Sequence, residues 1–171
     1  MAEYVILVDE QDNELGLMEK IEAHEKGVLH RAFSVFILNS KNQLLLQQRA
    51  LHKYHSPGLW TNTCCSHPRK GESNLAAANR RLMEEMGMEA DLEKLLDFVY
   101  RAEFENNMIE HELDHVFIGN SESDPVINPE EVAAFKWMDL DELRKDIKEQ
   151  PQDYTPWFKI IFEEYYQAVT S

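Results

Sequence analysis

Cysteine is nearly absent from this 171-residue chain: there are two, Cys64 and Cys65, and they are adjacent. Neighbouring cysteines bridge only with strain, so no disulfide framework is expected and a reducing, cytoplasmic setting fits best. Long apolar runs are missing as well. A membrane helix needs roughly 18–20 apolar residues. The N-terminal run is only Val5-Ile6-Leu7-Val8, and it lacks the length and positive flank of a secretion signal. Positive charge is scarce, with 17 Lys and Arg against 32 Asp and Glu, a net of −15. A field of that sign repels nucleic-acid phosphates and disfavours a general DNA or RNA binder. No linker, repeat or low-complexity tract interrupts the chain, which reads as one domain over 1–171. A domain of this size buries about two-thirds of its unfolded surface, and 43% hydrophobic residues exclude a disordered acidic chain.

The scarce positive charge is unevenly spread. From Arg49 to Arg81 there are six basic residues and one acid, Glu72, so that window is +5 and the remainder of the chain is −20. Such a window reads as a local anion site on a protein that otherwise rejects anions.

The pattern predicts a short strand at Glu3–Val8, a turn at Asp9–Asn13 and a short helix over Lys20–Lys26 that stops at Gly27. Ala32–Leu38 and Gln43–Gln48 read as a hairpin across Asn39–Asn42. Leu51–Trp60 is a loop. Ser73 caps a helix running to Met86, with Gly87 as its stop. Leu95–Phe104 and Ile109–Ile118 form a second hairpin about Asn106-Asn107, and Val132–Trp137 is a strand. Asp139 opens one helix and Thr155-Pro156 another. The result is an α+β fold, an α/β/α sandwich with a mixed sheet flanked by helices.

Four groups of residues can carry chemistry. Pro68 pushes His67 toward extended geometry, so Cys65 and His67 share a face, although a small buried Cys beside a satisfied His gives the same pattern. Glu110 and Glu112 share one face of a strand that Asp114 continues, with His111 and His115 on the other. Paired carboxylates repel unless a cation or protons lie between them, and a solvated face is the plainer reading. His24 and His30 flank the end of a short helix; with carboxylates they would make a nitrogen–oxygen site suited to Mg²⁺, Mn²⁺ or Zn²⁺. On the helix ending at Gly87, Arg80, Glu84 and Glu85 lie at i, i+4 and i+5: either an ordinary salt bridge or carboxylates able to hold Mg²⁺ against a phosphate.

That helix carries a resemblance. Ser66-x5-Glu72-x7-Arg80-Arg81-Leu82-x-Glu84-Glu85-x-Gly87 resembles the Nudix box, with Ser66 in place of its first Gly and Arg81 in place of a metal-binding Glu. The second departure counts against diphosphate hydrolysis. Trp60-Thr61-Asn62-x-x-Cys65-x-His67-Pro68, Tyr100-Arg101-Ala102, Glu110-x-Glu112 and Pro156-Trp157 together resemble the type I isopentenyl diphosphate isomerases, over nearly the whole chain.

The resemblance implies a Nudix-type fold and a double-bond shift between isopentenyl and dimethylallyl diphosphate, in isoprenoid biosynthesis. It implies one divalent metal (Mn²⁺, Mg²⁺ or Zn²⁺) on His24, His30, His67, Glu110 and Glu112, and a second Mg²⁺ at Glu85 bridging to the diphosphate. Lys20, Arg49, Lys53 and Arg81 match diphosphate contacts, and Cys65 and Glu112 the catalytic pair. Glu112, assisted by Tyr100, would deliver a proton and Cys65 would accept one, the reverse assignment being equally open. Trp157 would face a tertiary carbocation, and the last helix would close the pocket as a lid. The partner is then a small prenyl diphosphate, with no nucleic acid or membrane, on a monomer or weak homodimer. A Nudix pyrophosphohydrolase of a nucleotide or prenyl diphosphate is the alternative.

Overall fold

The computed structural model describes residues 3–53, 56–104 and 107–170. Among the described residues nine strands join in one mixed sheet, and the helices cover both of its faces. Its spine is β3 (His30–Leu38), apolar on both sides and buried almost throughout. A strand of that kind cannot leave either edge in water. Along most of its length β3 pairs in parallel with β8 (Met108–Asn120), from His30 opposite Glu112 to Leu38 opposite Asn120. Its other edge takes β6 (Cys64–Ser66), antiparallel, with Phe33 opposite Ser66. β8 also pairs with β7 (Glu93–Phe104), and β4 (Gln43–Arg49) pairs with β9 (Val132–Asp139) and the short β5 (Trp60–Thr61). β1 (Tyr4–Val8) and β2 (Glu14–Glu19) form an edge hairpin that meets β3 at Leu7–His30.

This pairing corrects one sequence expectation. β3 and β4 follow one another across Asn39–Asn42 but pair only at Leu38–Leu44. They then diverge, because β3 gains more burial between β6 and β8 than an isolated hairpin would offer. β2 is marked in the sequence only by the short alternation Leu15-Gly16-Leu17, and both leucines are exposed in the fold. The β7–β8 hairpin stands as expected. Asn107 has φ 60°, in keeping with a turn, while Asn106 lies outside the described residues.

The alternation along β3 sorts two cores. Phe33, Val35 and Ile37 meet Ala77, Ala78, Leu82 and Met86 of α2 (Asn74–Met86). Phe36, on the other face, meets Phe158, Phe162 and Tyr165 of α4 (Pro156–Thr170) and stacks on the Tyr165 ring at 4.3 Å. α3 (Leu140–Glu149) adds Leu140 and Leu143 to that second core. The caps are those the sequence implies. Ser73 accepts from the Ala76 N–H, Asp139 from Asp141 and Glu142, and Thr155 Oγ1 from Phe158. α1 (Lys20–Lys26) ends at Gly27 with φ 65°. Among the described residues no helix is long and apolar enough to cross a membrane.

Gly87 closes α2 at φ 59°, and a Cβ there would lie 2.5 Å from the Val126 carbonyl oxygen. Gly87→Ala therefore combines left-handed strain with a clash against rigid backbone. It is expected to lose at least about 1–2 kcal/mol of stability. A fall in the urea midpoint at unchanged m-value checks this.

Candidate active site

The parallel register of β3 and β8 sets His30 directly beside Glu112, and the period of two puts Glu110 on the same face. α1 carries His24 against this face. His67 arrives just beyond β6, held by the β6–β3 pairing. One ligand atom from each of His24, His30, His67, Glu110 and Glu112 falls within 4.8 Å of all the others. The histidine ring centroids are 5.0–5.9 Å apart. His24 and His30 are fully buried, and both glutamates nearly so.

Hydrogen bonds fix which ring nitrogens face inward. His24 Nδ1 lies 2.6 Å from the Lys20 carbonyl and His30 Nδ1 2.9 Å from that of Val28. A carbonyl only accepts, so each Nδ1 carries the hydrogen and each neutral ring turns its Nε2 lone pair inward. Those lone pairs meet carboxylate oxygens: Glu110 Oε1 at 2.6 Å from His24 and Glu112 Oε2 at 3.2 Å from His30. His67 Nε2 is 2.8 Å from the same Glu112 oxygen. Glu110 Oε2 is buried without a hydrogen-bond partner. Acceptors facing acceptors in a dry site need a proton or a cation between them. Three imidazole nitrogens and two carboxylates suit a divalent cation, so the residues fit the metal that their types imply.

The charge states agree. Burial pushes His67 down to about 4 against the pull of Glu112, and it also lowers His24. Burial, then the charge of Glu112, pushes Glu110 well above the usual carboxylate range. Burial acts on Glu112 in the same direction, but hydrogen bonds, with Glu110 foremost and with His67, outweigh it and hold Glu112 low. Without metal, the pair therefore keeps a proton on Glu110. Asp114 continues the face as expected, buried, its two carboxylate oxygens sharing the single Ser34 hydroxyl hydrogen at 2.9 and 3.1 Å from Oγ.

Next to this cluster is a cavity of about 140 Å³. Cys65, Tyr100, Trp157, Glu110 and Glu112 line it together with Lys20, Arg49, Lys53, Arg81 and Glu85. The Tyr100 hydroxyl donates to Glu112 Oε1. Cys65 is half-buried, and burial, then the charge of Glu85, pushes its thiol up to about 12, while Arg49 and a hydrogen bond with Trp157 pull the other way. The Arg49 guanidinium lies 5.1 Å from the Trp157 ring centroid. Thus every residue to which the resemblance gives a role lies around this cavity or in its metal-ligand wall, whereas Arg80 and Glu84 lie outside both. Glu85, expected at a separate Mg²⁺, stands outside the five-ligand cluster, held by Arg81 at 2.8 Å and by Gln47 Nε2 at 3.0 Å. α4 walls the pocket: Trp157 lines the cavity while Phe158, Ile161 and Phe162 anchor the helix in the core.

Arg80 salt-bridges Glu84 at 3.1 Å, as helix spacing suggests, and also reaches Glu72 at 2.7 Å. His111 and His115 face away from the cluster, one toward the Gly27 carbonyl and the other toward Asp12. Cys64 is buried 3.6 Å from Glu85 Oε2. His52 stays outside the cavity, and His55 lies outside the described residues. Sequence reasoning missed the pocket positions of Gln47 and Glu131. A glutamine ending the apolar run Leu44-Leu45-Leu46 was a usable signal for the first. Glu131 carries none, since it lies in a turn beyond the basic window. Burial opposes its charge, but Lys53 and Arg81 outweigh that and hold it below the usual carboxylate range.

A model of the NUDIX domain matches residues 28–158. The chain is similar to isopentenyl-diphosphate Delta-isomerase 2 of Aromatoleum aromaticum, 53% identical over 92% of this chain and 83% of that one. It is also similar to isopentenyl-diphosphate Delta-isomerase of Pectobacterium atrosepticum, 51% identical over 98% and 95%. Among solved structures, a Deinococcus radiodurans protein superposes with TM-score 0.72 at 21% identity, covering 86% of this chain and 90% of that one, a likeness of fold alone.

Because Glu110 carries the proton, a divalent cation entering the cluster must displace it. Calorimetric titration of Mn²⁺ into metal-free protein near pH 7, in buffers of different ionisation enthalpy, is expected to give release of about one proton per ion. Glu110→Gln should abolish that release and lower the metal content.

Proposed function

The chain belongs to the Nudix family, and within it to the isopentenyl-diphosphate Delta-isomerases, and from that footing we propose how its pocket moves the double bond. The enzyme interconverts isopentenyl diphosphate and dimethylallyl diphosphate, in isoprenoid biosynthesis. The observation that carries the site assignment is that Cys65 and the Tyr100–Glu112 pair line one small cavity together with four cationic side chains.

The shift adds a proton to one alkene carbon and removes one from another, through a tertiary carbocation. Two proton-transfer groups on one flat substrate meet that demand. Cys65 and Glu112 are that pair. Tyr100, donating to Glu112 Oε1, orients the carboxylate and carries a proton to or from it. Since the reaction is reversible, each group is acid in one direction and base in the other. In the substrate-free protein burial favours the protonated thiol of Cys65, and the choice of which group acts first as acid stays open.

The diphosphate sits among Lys20, Arg49, Lys53 and Arg81. Their charge fixes the isoprenyl end against Cys65 and Trp157. The Trp157 ring offers its π face to positive charge, as the guanidinium of Arg49 illustrates, and a desolvated indole stabilises a cation by roughly 2 kcal/mol. The buried walls keep out the water that would capture a carbocation as an alcohol. His24, His30, His67, Glu110 and Glu112 would hold a divalent cation (Mn²⁺, Mg²⁺ or Zn²⁺), which would make a proton on Glu112 more acidic, and Glu85 would hold a Mg²⁺ that would neutralise diphosphate charge. Arg81 bears on the hydrolase alternative: a cation paired with Glu85 replaces the carboxylate that the hydrolytic Nudix box uses for metal.

Proton NMR of isopentenyl diphosphate with enzyme and Mg²⁺ is expected to show dimethylallyl methyl signals and no release of phosphate or pyrophosphate. Cys65→Ala should lower kcat by about 10²–10⁴-fold with substrate affinity nearly unchanged. Isomerisation surviving in that variant would remove Cys65 from the catalytic pair.

A further inference from the structure

The cationic end of the cavity contains one group whose charge is wrong for a diphosphate site. Glu131 lines it, and a single carboxylate oxygen, Oε2, receives the Lys53 ammonium and lies 3.5 Å from Arg81 Nη2. The same Arg81 nitrogen is 2.8 Å from Glu85 Oε2. Two of the four cations assigned to the diphosphate are therefore already engaged by one anionic oxygen.

The backbone sets that oxygen in place. The Glu131 N–H donates to the Asn128 carbonyl at 2.9 Å, and its own carbonyl accepts from the Ala50 N–H at 3.1 Å. These bonds tie the turn before β9 to the segment that follows β4 and carries Lys53, whose N–H in turn donates to the Ala50 carbonyl at 3.3 Å. The side chains of Lys53, Arg81 and Glu131 are each partly accessible, with 24%, 19% and 27% exposed, so an incoming anion can reach all three. A carboxylate oxygen shared by an ammonium and a guanidinium presents the charge and hydrogen-bond acceptance of a phosphate oxygen.

We propose that Glu131 is an internal stand-in for a substrate phosphate oxygen: it holds Lys53 and Arg81 in the pocket while the enzyme is empty, and the diphosphate displaces it. The inference rests on the assignment of these cations to the diphosphate. Glu131 is then a positioning and affinity-setting residue, not a catalytic one. It spares the empty pocket an uncompensated cluster of positive charge, and it offsets part of the attraction for any anion, so that product is not retained. Partly exposed ion pairs are worth little each, so displacing two of them weakens anion binding by about fivefold.

The test uses inorganic pyrophosphate as probe, in the presence of Mg²⁺, with the full-length protein as wild type, Glu131→Gln and Glu131→Asp. Glu131→Gln keeps the size and removes the charge, and is expected to bind pyrophosphate about fivefold more tightly. Glu131→Asp keeps the charge and should stay near the wild type. In turnover, KM for isopentenyl diphosphate should fall by a similar factor in Glu131→Gln and not in Glu131→Asp. Unchanged or weaker binding by Glu131→Gln would mean that the carboxylate only supports the cations, and would overturn the inference. Equal tightening by both variants would trace the effect to packing of the turn and overturn it too. Absence of pyrophosphate binding in all three proteins would refute the cationic cradle itself along with the stand-in.

Discussion

Two histidine lone pairs face two carboxylates in a largely buried site. That conflict is the constraint on which the rest of the pocket depends. Backbone carbonyls of Lys20 and Val28 claim the Nδ1 hydrogens of His24 and His30, so the inward nitrogens have nothing to donate to Glu110 and Glu112. A divalent cation resolves all five groups at once. In its absence one proton resides on Glu110, and the histidines stay neutral. The fold is arranged to impose this conflict. A parallel β3–β8 register aligns His30 with Glu112, a one-residue bridge and a short helix bring in His24, and the β6 pairing delivers His67.

The same strand pairing builds the reaction chamber. Cys65 lies opposite Ser34 on β3, while Glu112 and its partner Tyr100 face each other across β8 and β7. The two groups proposed to transfer protons thus stand on β6 and β8, one on either side of β3 in a single sheet, where placement is more readily kept than on loops. α4 closes the chamber with Trp157 and is fixed by an aromatic core from Phe36 to Tyr165. Charge is divided between the two ends: carboxylates and histidines at one, Lys20, Arg49, Lys53 and Arg81 at the other, and Glu131 between Lys53 and Arg81.

Much of this was legible in the sequence where local rules decide. Ser73, Gly87, Asp139 and Thr155-Pro156 mark helix ends through side-chain caps and left-handed turns, and the period of two set Glu110 and Glu112 on one face. The pairing of β3 was not legible, because a strand buried on both faces looks the same whichever partners it takes. Its nearest neighbour in sequence, β4, turned out to be a minor one. Assembly of His24, His30 and His67 with the two glutamates needs long-range register, which residue types alone do not specify; the resemblance to the isomerases supplied it. Glu131 escaped notice for a related reason: an acid in an acidic chain has no signature until the fold sets it against two cations.

The most direct test is anomalous diffraction from crystals of the Mn²⁺-loaded protein at the manganese edge. The account predicts one strong peak within about 2.0–2.3 Å of His24, His30 and His67 Nε2 and of an oxygen from each of Glu110 and Glu112. A cluster without a peak under saturating metal, with a proton shared between His24 Nε2 and Glu110, would contradict it.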